Sequence, residues 1–277
     1  MLLLDFAENT LRAMVGPPLR YIHRLLFNPG FRDYQRARAA LRRRPRFQET
    51  RIRLGGYDLL VPDAASLLSS WEEIFLKQVY DFPANGPQPR ILDLGANIGL
   101  SILYFKRRFP NAVITAFEAD PEIFRYLECN LRANGAADKV TLINRAVWDR
   151  DETLSFWSEG ADGGRIEQSA GRPTKALQAV DIAGALAGQK FDFIKMDIEG
   201  AEARVLPRCT ELLRDPGAIF IEYHSRPGEP EALPDILGQL RAAGFRVQIS
   251  PLYHNPTPFI PLIANGFDQQ LNLFAVR

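Results

Sequence analysis

The sequence predicts an α/β fold: a mostly parallel sheet with helices on both faces, joined to an N-terminal helical arm and a β-hairpin. Three observations carry this. From residue 90 onward, short strand-like runs alternate with helix-like runs. The first of those strands, RILDL (90–94), runs straight into a glycine turn that opens a helix. Of the 277 residues, 46% are hydrophobic and 24% charged, so a substantial core is expected.

Residues 1–50 read as broken helix, stopped at Gly16-Pro17-Pro18 and at Asn28-Pro29-Gly30. RIRLGGYDLLVP (51–62) alternates around Gly55-Gly56, a hairpin pattern. Ser70 is expected to cap a short helix reaching Asp81. The turn-rich FPANGPQP (82–89) marks the main boundary. The chain thus divides into a basic arm (1–50), a hairpin and helix (51–85) and a core domain (86–277).

Within the core domain a helix over 98–109 precedes a strand over 112–118. Asp120-Pro121 opens the next helix, because proline in the first turn loses no intrahelical bond. A strand over 139–147 is expected to turn through DRDE into TLSFW (153–157) as a hairpin. Residues 159–174 form a polar, glycine-rich loop. Strands follow at 191–197, 218–224 and 245–250, with helices at 201–213 and 230–244 between them. A proline-rich insertion (251–269) leads to a last strand (271–277), expected to close an antiparallel pair. No internal repeat is visible.

The net charge is only +1, but it is unevenly spread. Residues 1–53 hold twelve arginines against Asp5, Glu8, Asp33 and Glu49, giving +8 and leaving −7 for the remainder. Cys129 and Cys209 are the two cysteines, both in helix-like stretches, so neither a disulfide framework nor a zinc site is suggested. The opening MLLLD lacks a basic n-region, and no run approaches the roughly 18 apolar residues of a membrane span. A soluble cytoplasmic protein is expected.

The motif ILDLGANIGLS (91–101) sits where ligands gather in open α/β sheets, beyond the carboxyl end of a strand. Gly95 and Gly99 admit a ligand close to the backbone, and the helix start aims free N–H groups at an anionic part. A nicotinamide dinucleotide would call for G-x-G-x-x-G, whereas Ala96 and Asn97 occupy the middle glycine's spacing. Asp93 adds a carboxylate that would repel pyrophosphate but could accept from an ammonium or a water. S-adenosylmethionine, with an amine and a carboxylate but no diphosphate, fits. Glu118 ends the second strand, 23 residues after Gly95, where a carboxylate accepts both hydroxyls of a ribose. Ala119 is small enough to lie beside adenine. In INRAVWD (143–149), Ala146 offers backbone to adenine, while Asn144, Arg145 and Asp149 compete for the polar contact.

ILDLGANIGLS, AFEADPE, INRAVWD and KMDIEGAE, in this order and at these separations, resemble the FkbM family of class I S-adenosylmethionine-dependent methyltransferases. The resemblance spans roughly residues 57–250, and KMDIEGAE (195–202) is its most specific part. It implies a seven-stranded, Rossmann-like methyltransferase sheet and methylation, usually on oxygen, of a sugar, glycan, lipid or secondary metabolite. It also implies a glutamate in the helix before the first core strand; Glu73 matches, facing the methionine end of the cofactor or simply solvent.

Methyl transfer from a sulfonium runs in line, so the protein must position both reactants and take up the proton of a hydroxyl acceptor. Asp197 leads the candidates, as base or as a grip on the acceptor or cofactor. Lys195 shares its face by alternation, and Glu199 reads equally as a first-turn helix residue. Glu222 and His224 end the fifth strand on one face, and an imidazole with an ordinary pKa of about 6.5 suits a base. His254 is a weaker lid candidate. Asp197, Glu199, Glu222 and His224 have the makings of a cation site, but strand-end carboxylates have other uses, and no metal is expected.

The arm (12–53) is either a packed helix with a solvated basic face or a peripheral contact for a membrane or polyanion. The expected partner is a small-molecule, glycan or lipid acceptor; nucleic acid is not expected, and an oligomer is compatible with the sequence. Besides an O-methyltransferase, a nicotinamide-dependent oxidoreductase and a non-catalytic cofactor-binding partner subunit stay open.

Overall fold

The structure, a computed structural model, describes residues 17–157, 165–166, 174–253, 255–257, 259–260, 263 and 266–277. The arm supplies α1 (Pro17–Phe27) and α2 (Pro29–Leu41). Asn28 caps α2 by accepting from the Phe31 N–H at 2.9 Å. Tyr34, Ala37 and Leu41 are buried in the same cluster as Ile91, so α2 is part of the core. On α1, Tyr21, Ile22, Leu26 and Phe27 are exposed.

The hairpin forms as expected from β1 (Thr50–Leu54) and β2 (Tyr57–Val61). The next helix, α3 (Ala64–Trp71), begins earlier than expected, because Asp63 and not Ser70 caps it. The Asp63 carboxylate accepts from the Ser66 N–H and hydroxyl, both at 2.9 Å, and from Arg46 and Phe47. Past Trp71 the helix widens into a π turn over Glu72–Leu76, with Trp71 stacked on Phe75.

The main sheet starts with β3 (Arg90–Leu94), α4 (Leu100–Arg108), β4 (Val113–Phe117), α5 (Pro121–Ala133) and β5 (Val140–Ile143). The chain then leaves it. β6 (Ala146–Trp148), β7 (Glu152–Trp157), β8 (Arg165–Ile166) and β9 (Lys175–Asp181) build a second sheet in the order β6-β9-β7-β8. Two expectations fail here. The strand over 139–147 breaks after Ile143, where the Asn144 amide bonds the carbonyls of Glu118 and Ala119. β6 and β7 also make no hairpin, since β9 lies between them, parallel to β6 and antiparallel to β7.

After α6 (Ile182–Ala185) the chain re-enters the main sheet as β10 (Phe193–Met196). The helix expected over 201–213 is a single α turn, α7 (Glu202–Val205), followed by a 3₁₀ turn (Leu206–Cys209). Pro207 has no N–H with which to continue the α ladder. β11 (Ala218–Ser225), α8 (Leu233–Ala242), β12 (Arg246–Pro251) and β13 (Gln269–Val276) complete the chain's order.

Seven strands run β12-β13-β11-β10-β3-β4-β5, parallel except that β13 lies antiparallel between β11 and β12. Alternation divides the core into two layers. Ile91, Phe193 and Phe220 point into one cluster with α4 and α5; Leu92, Ile194 and Ile221 point into the other with α7 and α8. The chain runs outward from β3 through β4 to β5, then returns to β10 on the opposite side of β3. That reversal opens a crevice beyond the carboxyl ends of β3 and β10. Among the described residues no helix is long and apolar enough to cross a membrane.

Candidate functional site

The crevice is closed below by the glycine turn after β3. Gly95 and Ala96 donate their N–H groups to the Phe117 carbonyl at 3.0 and 2.8 Å, fastening the turn to β4. Gly95 has φ +86°, and a Cβ there would lie 1.8 Å from the Asp197 carbonyl oxygen, so only glycine lets the two strand ends meet. Asn97 also takes a positive φ, +47°, and its side chain accepts from the Ile98 N–H at 2.6 Å. Gly99 caps α4 and packs against Leu127.

Glu118 sits at the end of β4, 9% exposed. One carboxylate oxygen accepts from the Asn97 N–H at 2.8 Å and the other from the Asp120 N–H at 2.9 Å. Burial pushes the carboxyl up from 4.5 to about 7, against the pull of those two N–H groups. A carboxyl with a raised pKa favours folding while protonated, and that contribution disappears as pH rises from 4.5 to about 7. The melting temperature of the ligand-free protein should therefore fall more steeply over this range than that of Glu118→Gln. Parallel pH profiles by differential scanning calorimetry would refute the placement.

The far end of the crevice is acidic. Asp197 follows β10, with its carboxylate about a quarter exposed. Burial first, and then the neighbouring Glu222, raise its carboxyl to about 7. Glu199 lies in the loop to α7 at φ +55°, its carbonyl held by Arg226 at 2.9 Å. Glu202, overlooked in the sequence, is fully buried and organises that loop: one oxygen accepts from the N–H groups of Ile198 and Gly200 at 3.1 and 3.2 Å. The same oxygen lies 3.2 Å from His224 Nδ1. Its signal in the sequence was the final glutamate of KMDIEGAE.

His224, the candidate base, is enclosed by carboxylates. Its ring is buried, with Nε2 3.5 Å from Glu222 and 3.7 Å from Glu199. Burial disfavours a charged ring, but Glu202 and Glu199 outweigh it and hold the pKa well above the ordinary imidazole range. A ring protonated in this way has no lone pair for an acceptor's proton. Lys195 is likewise placed to hold rather than to react. Its ammonium, 2% exposed, donates to the Gly95 carbonyl at 2.6 Å and faces Asp93 at 3.3 Å and Asp197 at 3.6 Å. Asp93 is fully buried behind the turn and accepts from the Ser101 hydroxyl at 2.5 Å, instead of facing a ligand.

A cavity of about 220 Å³ joins the two ends, with Gly95, Asn97 and Glu118 on one side and Asp197, Glu199 and Glu222 on the other. Over this same stretch, residues 93–247 match the methyltransferase FkbM domain. The chain belongs to the FkbM methyltransferase family.

This FkbM methyltransferase is 30% identical over 158 residues to the 2-O-methyltransferase NoeI of Sinorhizobium fredii, covering 50% of this chain and 64% of that protein. It is 28% identical over 228 residues to the AMB antimetabolite synthetase AmbE of Pseudomonas aeruginosa, covering 65% of this chain and 10% of that one. The chain thus spans less than two thirds of either relative. The crystal structure of the methyltransferase FkbM from Methylobacillus flagellatus is similar at 17% identity and a TM-score of 0.48, over 70% of this chain and 45% of that one.

A class I methyltransferase fold implies an S-adenosylmethionine cofactor, and the FkbM residues fit one. The cavity between the Gly95–Asn97 turn and the buried carboxylate of Glu118 suits an adenosyl group. Ala119 and Ala146 line the same cavity, as does Arg145, while Asn144 fastens the strand end beneath them. Asp149 instead faces Arg204 at 3.9 Å. Glu73 reaches the cavity from the π turn and pairs with Lys77. His254 and most of the 159–174 loop lie outside the described residues.

Proposed function

We propose that this FkbM methyltransferase moves the methyl group of S-adenosylmethionine to a hydroxyl oxygen of a sugar, glycan, lipid or secondary metabolite. The observation that carries the reading is the single cavity shared by the Gly95 turn, Glu118 and Asp197. The similarity to a protein named as a 2-O-methyltransferase supports oxygen as the acceptor atom.

When bound, the cofactor supplies an electrophilic methyl on a sulfonium. The chain does the rest. Gly95, Asn97 and Gly99 shape the turn that receives the adenosyl part, Glu118 accepts its ribose hydroxyls, and Ala119 and Ala146 leave room for the base. Asp93 and Lys195 position the turn from behind, since Lys195 ties the Gly95 carbonyl to both carboxylates. At the acidic end Asp197, with Glu222 and Glu199 beside it, receives the proton that a hydroxyl must lose as its oxygen forms the new bond.

Isothermal titration with S-adenosylmethionine, beside Glu118→Ala, tests the cofactor half. Each hydrogen bond to a charged group is worth about 1.5–3 kcal/mol, so losing two should weaken binding about 100-fold or more. Unchanged affinity in the variant would remove Glu118 from the site. NADH fluorescence titration tests the oxidoreductase alternative, which Ala96 and Asn97 disfavour. A partner subunit without activity would bind the cofactor yet turn over no acceptor.

A further inference from the structure

We propose that Asp197, Glu199, Glu222 and His224 hold a divalent cation of the Mg²⁺ and Mn²⁺ class at the acceptor end of the cavity. The inference deepens the methyl-transfer reading and rests on it for the cation's use. The binding itself is argued from geometry.

One oxygen each from Asp197 and Glu199 and one nitrogen of His224 lie within 4.8 Å of one another. Glu222 brings a fourth atom to 3.5 Å from His224 Nε2. Two ligands of one ion sit no farther apart than twice the metal–oxygen distance, about 4.2 Å for Mg²⁺ and about 4.6–5.2 Å for Ca²⁺. Asp197, Glu199 and His224 already stand close to that spacing, with Glu222 beside the histidine. Three carboxylates and one imidazole, with no thiol, suit a hard cation more than zinc or copper.

The second observation is the histidine. Its Nδ1 lies against Glu202, while Nε2 is buried, meets no geometric hydrogen bond among the described residues and points toward Glu199 and Glu222. A carboxylate on one ring nitrogen and a metal on the other is how ligating histidines are oriented, and the cation takes the place of the Nε2 proton that the ring carries without it. Glu202 is itself fixed by the Ile198 and Gly200 N–H groups, so the ring cannot swing away without breaking the loop. Glu199 holds a left-handed conformation that a non-glycine residue seldom adopts, and Arg226 clamps its carbonyl there. Lys195, the cation beside Asp197, is shared with Asp93 on the neighbouring strand. A divalent ion would balance the remaining carboxylates and draw an acceptor hydroxyl toward them, easing loss of its proton.

The full chain, dialysed against chelator, is titrated with Mn²⁺ and the free-ion electron paramagnetic resonance signal is followed without cofactor or acceptor. The expected result is one Mn²⁺ per chain, with affinity falling about tenfold or more in both Glu199→Gln and Glu222→Gln. Glu118→Ala, at the other end of the cavity, should bind Mn²⁺ like the wild type. Melting curves confirm that the isosteric glutamines fold. No binding in the millimolar range, or equal binding in wild type and both glutamine variants, overturns the site. S-adenosylmethionine binding in a sample that takes up no Mn²⁺ overturns the cation alone and leaves the methyltransferase reading intact.

Discussion

Gly95→Ala is expected to destabilise the protein by about 4 kcal/mol or more, read as a lowered urea midpoint, and to abolish cofactor binding in whatever remains folded. Left-handed backbone alone costs a non-glycine residue about 1–2 kcal/mol. The larger part is the clash. The added methyl would sit 1.8 Å from the Asp197 carbonyl, a backbone atom that cannot swing aside. Asp197 is tied to β3 by its N–H on the Leu94 carbonyl at 3.0 Å, and β10 is paired to β3 along its length. Relief would require separating the two central strands. Gly99→Ala should cost less, because its new methyl meets the tip of the Leu127 side chain at 2.7 Å, which can rotate. If the two variants lose equal stability, the tight approach at Gly95 is not what demands glycine.

Asp197→Ala should lower turnover by about 10²–10⁴-fold while changing S-adenosylmethionine affinity far less. The direction follows from position: the carboxylate faces the acidic end of the cavity, and the groups assigned to the adenosyl part are elsewhere. The variant should also keep or gain thermal stability, since burial and Glu222 both oppose its negative charge and Lys195 keeps Asp93. Single-turnover kinetics beside a binding titration separates the two effects. Equal losses in affinity and rate would move Asp197 to the cofactor side.

The parts of this molecule that were legible in the sequence are those whose job is local. Gly95 and Gly99 sit in a contiguous strand–turn–helix motif, and Glu118 ends the adjacent strand, so spacing alone reveals the turn and the strand end that border the cavity. The residues whose surroundings spacing does not reveal are those whose partners arrive from another strand. Lys195 looked reactive because it neighbours Asp197, but parallel register sets it opposite Asp93, which consumes its charge. His224 looked like a free base because nothing nearby in sequence announces Glu202, 22 residues earlier, closing on its ring. The same distance effect hid β9. Its buried Leu177 and Ala179 alternate as a strand should, yet its parallel partner β6 lies some thirty residues back, and an alanine-rich run gives weak β signal. Asp63 carries as good a cap signal as Ser70, and what decides between them is the Ser66 N–H and the Arg46 side chain that converge on its carboxylate.

The position of β13 between β11 and β12 bears on how this chain emerges from the ribosome. β11 is an apolar strand whose outer edge has no partner until residues 269–276 have been made. β12, already synthesised by then, has only β13 to pair with. Translation therefore passes through a stage in which an apolar sheet edge is open and a finished strand has no place to dock. A stall within residues 252–268 would prolong that stage, making this stretch the point at which chaperone demand and aggregation during translation should peak.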